Sequence, residues 1–251
     1  MTATDDSGLG GEGGRFPITH RSAILAARSD DPTERARAFD LIVTAYWRPV
    51  YKYIRIKWRK SNEDAKDLTQ GFFARAIEKG FFDGYDHDKA RFRTFLRVCL
   101  DGFIANEEKA AGRIKRGGEV TLLPLDFEDA EGELTASDLP SAESPDDFFE
   151  KEWIRSLFTL AIESLRDQSR SNGRTTHFQL FERYYIDEAD ADVSYQQLAA
   201  EFKLSTSNVT NYLAAARRDF RRIVLEKLRA LTATEEEFRR EARTLLGVDA
   251  K

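Results

Sequence analysis

From residue 36 to residue 110 the apolar side chains return at every third or fourth position, the spacing of one helix face. Phe39, Ile42, Val43 and Tyr46 make a first run. Pro49 either stops that run or starts a new one, and Val50, Tyr51, Ile54 and Trp58 continue the period. A further segment covers 65–82, with Leu68, Phe72, Phe73 and Ile77 on one side. Another covers 92–110 through Phe95, Leu96, Cys99, Phe103 and Ile104. The period returns over 148–165 and 177–185, while the apolar–polar alternation of strands is essentially missing. The expected fold class is all-α.

Charge divides these helices into blocks. Residues 17–116 carry 21 Lys and Arg against 14 Asp and Glu, and residues 117–150 carry none against 11. Residues 151–231 are nearly balanced, 13 against 11, with their positive charge late. The acidic stretch also holds Gly117, Gly118, Pro124, Pro140 and Pro145, a composition that buries little. Leu122, Leu123, Leu125 and Phe127 are its apolar exceptions, able to dock on a neighbour. The expected organisation is a disordered leader (1–16), a helical domain (17–116), an acidic linker (117–149), a second helical domain (150–231) and a helical tail (232–251). Thr234-Glu235-Glu236-Glu237 spells the capping box that starts a tail helix. A basic block can hold a polyanion by releasing counterions, although scattered Lys and Arg more often mark a solvated helix face.

Several chemistries are excluded or weakened. One cysteine, Cys99, forms no internal disulfide framework. His20, His87 and His177 start no metal-ligand spacing. No glycine-rich phosphate loop with a following lysine exists. Asp83, Asp86 and Asp88 lack the sixth-position glycine and closing glutamate of a calcium loop. No Ser-His-Asp or Cys-His grouping is spelled out. The expectation is a protein without cofactor or metal, not an enzyme. No apolar run reaches the roughly eighteen residues of a membrane span, and the N-terminal residues carry no signal-peptide stretch. A cytoplasmic location is expected.

The strongest local signal is late. Ser194 caps a short helix, and Ser205 caps a longer one after Leu204 turns inward. Val209 and Leu213 would face the first helix, with Ala199 small where the two cross. This is helix-turn-helix spacing. Lys203 holds the turn position usually given to glycine, so it must adopt a left-handed conformation. The early polar positions suit a major groove, and Arg217, Arg218, Arg221, Arg222, Lys227 and Arg229 suit phosphates. A helical hairpin with a basic exterior explains the same residues.

In the first block, Asn62–Phe73 is an acidic helix start followed by apolar positions, and residues 86–97 run from a polar loop into a helix of arginines and aromatics. Rings stack on unpaired bases while cations meet phosphates. Plain core packing accounts better for at least two of Phe92, Phe95 and Phe103.

These features together resemble the bacterial RNA polymerase sigma factors of the extracytoplasmic-function group, the minimal two-domain members of the sigma-70 family. Tyr46-Trp47-Arg48-Pro49-Val50-Tyr51 is similar to part of their first conserved helix. Asp64-Ala65-Lys66-Asp67-Leu68-Thr69-Gln70 is similar to their acidic motif. Phe92-Arg93-Thr94-Phe95-Leu96 resembles their phenylalanine–arginine–aromatic motif, and 195–218 their C-terminal helix-turn-helix. The resemblance covers about residues 33–116 and 150–230.

It implies a region 2-like bundle and a region 4-like helix-turn-helix joined by the acidic linker. It implies core RNA polymerase as partner, through the largest-subunit clamp helices and the flap, with promoter DNA as ligand. Asp64, Asp67, Leu68, Gln70 and Phe73 would meet the clamp. The loop before residue 92 and the helix after it would capture the minus-ten element and hold one strand melted, with a base flipped into a pocket near the loop. Asp86, Arg91, Phe92, Arg93 and Phe95 would serve there, followed by Arg97, Asp101, Lys109, Arg113 and Lys115. Ser205, Thr206, Ser207, Asn208, Thr210 and Asn211 would read the minus-thirty-five duplex, with Arg217, Arg218 and Arg221 on its backbone. The linker would run near the RNA exit path.

Four places depart from the family pattern. Lys66 stands where a glutamate is usual, Gly71 where an acid is frequent, Leu100-Asp101 where arginine–asparagine is common, and Thr210 and Tyr212 at positions often basic. Some relatives are switched by threonine phosphorylation near the acidic motif. Thr69 has that location, although such a threonine is more often buried or capping. An anti-sigma protein and a Ser/Thr kinase are the regulators the resemblance implies. The competing reading is a helix-turn-helix regulator acting without polymerase, and a third is a helical scaffold for protein partners.

Overall fold

Most helix starts carry a capping side chain. The computed structural model describes residues 22–111, 125–134, 144–187 and 193–247. Ser22 caps α1 (Ala23–Ala26), and Asp31 caps α2 (Pro32–Lys57) with Pro32 at its first position. Ser61 caps α3 (Asn62–Lys79), which ends on Gly80 at φ 59°. A single 3-10 turn (Phe81–Gly84) leads to α4 (Phe92–Ala111). Asp126 caps the short α5 (Phe127–Gly132), and Ser144 caps α6 (Pro145–Ser171), again with proline first. Then come α7 (Thr175–Tyr185), α8 (Tyr195–Glu201), α9 (Thr206–Ala230) and α10 (Glu235–Leu246). The described residues contain no strand, so the fold is all-α.

The expected break at Pro49 is absent, because α2 runs through it. Proline leaves the carbonyl one turn back, on Ala45, without its helical amide partner. Ser156 of α6 supplies the missing donor, its hydroxyl giving a hydrogen bond to the Ala45 carbonyl at 3.2 Å. Ile77 is also misread, since it is exposed while Ala76 takes the inward place.

α2 is the central rod. α1, α3 and α6 pack along it, and α6 also carries α4, α7 and α9. One apolar cluster therefore runs through helices from both sequence blocks. Trp153 of α6 sits at this seam, 1 % exposed, stacked 6.3 Å from Tyr46 of α2. Beside it Lys52 of α2 is buried against Glu152 at 3.0 Å and Glu133 at 2.6 Å. α6 starts at Pro145, ahead of residue 150, and α5 folds inside the stretch read as linker. Phe127 docks edge-on against Trp47, 5.4 Å between centroids, and 5.2 Å from Tyr51. A smaller cluster of Leu180, Leu198, Val209 and Leu213 holds α7, α8 and α9 together.

Candidate nucleic-acid interface

α8 and the start of α9 form the helix-turn-helix. Ser194 and Gln197 close a reciprocal capping box at α8, and the Ser205 hydroxyl accepts from the Asn208 amide at 3.1 Å. Lys203 adopts φ 55°, the left-handed turn its position demanded. Leu198, Val209 and Leu213 are fully buried between the helices. That fixes the opposite face of α9 outward, where Ser205, Thr206, Ser207, Asn208, Thr210 and Asn211 are all exposed. Arg217, Arg218 and Arg221 are exposed further along the same helix. His177 of α7 braces α9 by stacking on Tyr212, 4.0 Å between ring centroids. Burial, then the nearby Arg174 charge, holds the His177 imidazole below its ordinary value, with Asp219 opposing.

α3 presents a second surface. Asp64 and Asp67 are exposed, with Leu68 and Gln70 half-buried beside them. Residues three and four apart share a helix face, so Asp64, Asp67 and Leu68 stand together. The neighbouring Lys66 turns back to Glu63 at 3.0 Å. Phe73 differs from expectation. It is wholly buried, its ring edge-on to Phe72 at 5.3 Å, so it supports the helix from inside and cannot touch a partner. Thr69 is buried too, its hydroxyl donating to the Ala65 carbonyl at 2.7 Å.

The third surface lies around the start of α4, and here the structure corrects the expectations most. Phe92 is 1 % exposed inside a cage of Tyr46, Phe82 and Tyr85, with centroids 5.2–5.5 Å away. It is a core residue and cannot stack on a base. Arg93 is buried over the Trp153 ring at 4.6 Å. Its guanidinium lies 2.8 Å from Glu150 and 2.9 Å from Glu241. Arg91 meets the same two acids at 3.1 and 3.0 Å. Arg97 bridges Asp146 and Asp101, both at 2.6 Å. Asp101 also accepts from Tyr53 and from the Trp58 indole, at 3.1 and 2.9 Å, so it organises α2 against α4. Burial, then the Asp101 charge, pushes the Tyr53 phenol up to about 12. Asp86 shapes the loop, pairing with Lys89 at 3.0 Å and accepting from the Asp88 amide. Those two contacts hold its carboxyl below the usual range. Lys109 is exposed near the end of α4, while Arg113 and Lys115 lie outside the described residues.

Phe95 alone of the three tested aromatics is only half-buried. It lines an open groove of about 720 Å³ between α3, the 3-10 turn and α4, with Phe81, Phe103 and Cys99 on its floor and Arg75 and Lys79 at its rim. Arg28, just after α1, steadies this turn by donating to the carbonyls of Phe82, at 2.8 Å, and Tyr85.

The acidic stretch meets the basic block directly. Asp129 and Glu133 pair with Arg48 at 2.6 and 2.5 Å, and Glu131 pairs with Arg55 at 2.5 Å. The Arg55 contact keeps the Glu131 carboxyl below its usual range. Sequence reading missed these acids as partners of particular cations, along with Asp146, Glu150 and Glu241. The signal existed in bulk, since an excess of seven positive charges faces eleven negative ones. Which acid meets which arginine depends on how α2, α6 and α10 cross.

Among the described residues no cluster of potential ligands could hold a metal ion, and no helix is long and apolar enough to cross a membrane. Comparison of the chain with protein-family models, with curated proteins and with solved structures returned no match.

Proposed function

We propose that this chain is a sigma factor that binds core RNA polymerase and directs promoter recognition and melting. One observation carries the reading: an exposed helix-turn-helix face and an exposed acidic helix start, Asp64–Asp67, stand on the same chain. A duplex-binding face needs only the former. The latter offers paired carboxylates to a basic partner helix. In this reading residues 17–116 act as the region 2-like domain and 150–231 as the region 4-like domain, with no cofactor and no catalysis of its own. α9 lays Thr206–Asn211 into a major groove while Arg217, Arg218 and Arg221 meet phosphates. The aromatic groove beside Phe95 receives unstacked bases, with Arg75 and Lys79 for the backbone. An anti-sigma protein or a Ser/Thr kinase is the proposed class of regulator. A kinase would first have to open α3 around buried Thr69.

The experiment is co-elution with purified bacterial core polymerase, followed by transcription from a promoter library. The proposal expects co-elution and promoter-dependent start sites. Replacing Asp64 and Asp67 with Asn should weaken the complex several-fold, on the order of 1 kcal/mol for exposed pairs, and Lys66→Glu should strengthen it. A second reading has one observation in its favour: Arg91, Arg93 and Arg97 are all engaged inside the molecule, whereas the helix-turn-helix is open. That arrangement suits a regulator binding duplex DNA without polymerase. Duplex binding without co-elution would establish it and overturn the first.

A further inference from the structure

α10 is amphipathic in an unusual sense. Its inward face carries Glu237, Phe238, Glu241 and Ala242, all buried, while Arg239, Arg240 and Arg243 point outward. Glutamates are rarely fully buried unless paired, so a helix serving only to cover apolar surface would not spend half its buried face on them. Glu241, 1 % exposed, lies between Arg91 at 3.0 Å and Arg93 at 2.9 Å. Glu237 accepts from the Tyr85 hydroxyl at 3.4 Å and from the Ala233 amide at 2.7 Å. The groups met are thus the loop tyrosine and the two arginines that open α4.

The Glu241 carboxylate is held between two guanidinium groups at close range. Its removal does not strand the arginines, because Glu150 also contacts both, at 3.1 and 2.8 Å. Among the apolar residues of α10 only Phe238, which lies 3.9 Å under the Arg229 guanidinium, is both large and buried, so the helix docks through little apolar surface.

We propose that α10 is a built-in mask: its Glu241 carboxylate, seated by Glu237 and Phe238, occupies the anion site formed by Arg91 and Arg93, and must withdraw before a nucleic-acid phosphate can bind there. The inference rests on the reading of α4 as a DNA surface and adds its regulation. Carboxylate and phosphate compete for the same guanidinium donors, so DNA binding and α10 docking oppose each other, and the coupling is reciprocal.

The test uses the full chain and a short fluorescent A/T-rich single strand, read by anisotropy at low salt, with a duplex of the same composition as a second probe. Glu237→Gln/Glu241→Gln and, separately, Phe238→Ala should each tighten single-strand binding, the former roughly tenfold, with duplex binding by α9 unchanged. Thermal unfolding reports whether each variant is folded. Independently of any variant, hydrogen exchange on the wild-type chain should show 234–247 losing protection when the strand binds. Equal single-strand affinity in all three proteins, or undiminished protection of α10 in the bound state, overturns the mask and leaves the sigma reading standing. No single-strand binding by any folded variant overturns the mask together with the role assigned to α4. Failure of the sigma reading itself shows separately, as absence of co-elution with polymerase.

Discussion

Pro49 removes the amide that would bond the Ala45 carbonyl, and the Ser156 hydroxyl on another helix takes its place. A buried acceptor left bare costs about 1–3 kcal/mol. Ser156→Ala should therefore lower stability by about that amount in urea unfolding. In a Pro49→Ala background, where the helix amide returns, the same change should cost far less. His177 gives a pH dependence. Its imidazole sits below the ordinary 6.5 because burial, and then Arg174, disfavour the charged form. The unfolded chain takes up a proton that the folded one resists, so acid favours unfolding. The contribution of neutral His177 is complete above about pH 6.5 and is lost as pH falls below that value. Thermal unfolding across this range should show acid destabilisation that His177→Phe abolishes; an unchanged slope in the variant rules the account out.

Single elements were the most legible level. The caps Ser194, Ser205 and Thr234 sit where the sequence spelled them, and the structure adds Ser61 and Ser144 ahead of the apolar runs. A capping bond is local, so sequence carries it. Lys203 is the same kind of case, because two helices joined this closely need a left-handed residue between them. Lys203→Gly should remove that strain and stabilise the hairpin by about 0.5–1 kcal/mol, less the entropy glycine loses on folding. Denaturant midpoints check it, and a lower midpoint in the variant contradicts it. The roles of Phe73 and Phe92 were misread for a common reason. Helical period places a residue on a face, but it does not say whether that face meets solvent or another helix.

For the molecule as a whole, the seam between α2 and α6 matters most. Trp153 lies between Tyr46 and Arg93, so the first and second blocks share buried surface. Trp153→Ala should cost about 3–5 kcal/mol. Amide exchange should accelerate together in α2 and α9, the helices that α6 joins. Acceleration confined to α9 would show that the shared core does not couple them.

Sequence alone determined that the chain is helical, where most helices begin, that Ser194–Leu213 makes a helix-turn-helix, and that positive and negative charge are segregated along the chain. These properties follow from period, local capping and composition, which act over a few residues. Only the tertiary structure decided which helix faces are covered. It brought Asp129, Glu131 and Glu133 onto α2, and Asp146, Glu150 and Glu241 onto Arg91, Arg93 and Arg97, across separations of 49 to 150 positions. Charge is long-ranged and carries no register. Its partners are chosen by the crossing of packed helices, and that crossing is set by the shapes of buried side chains such as Phe92, Trp153 and Phe238.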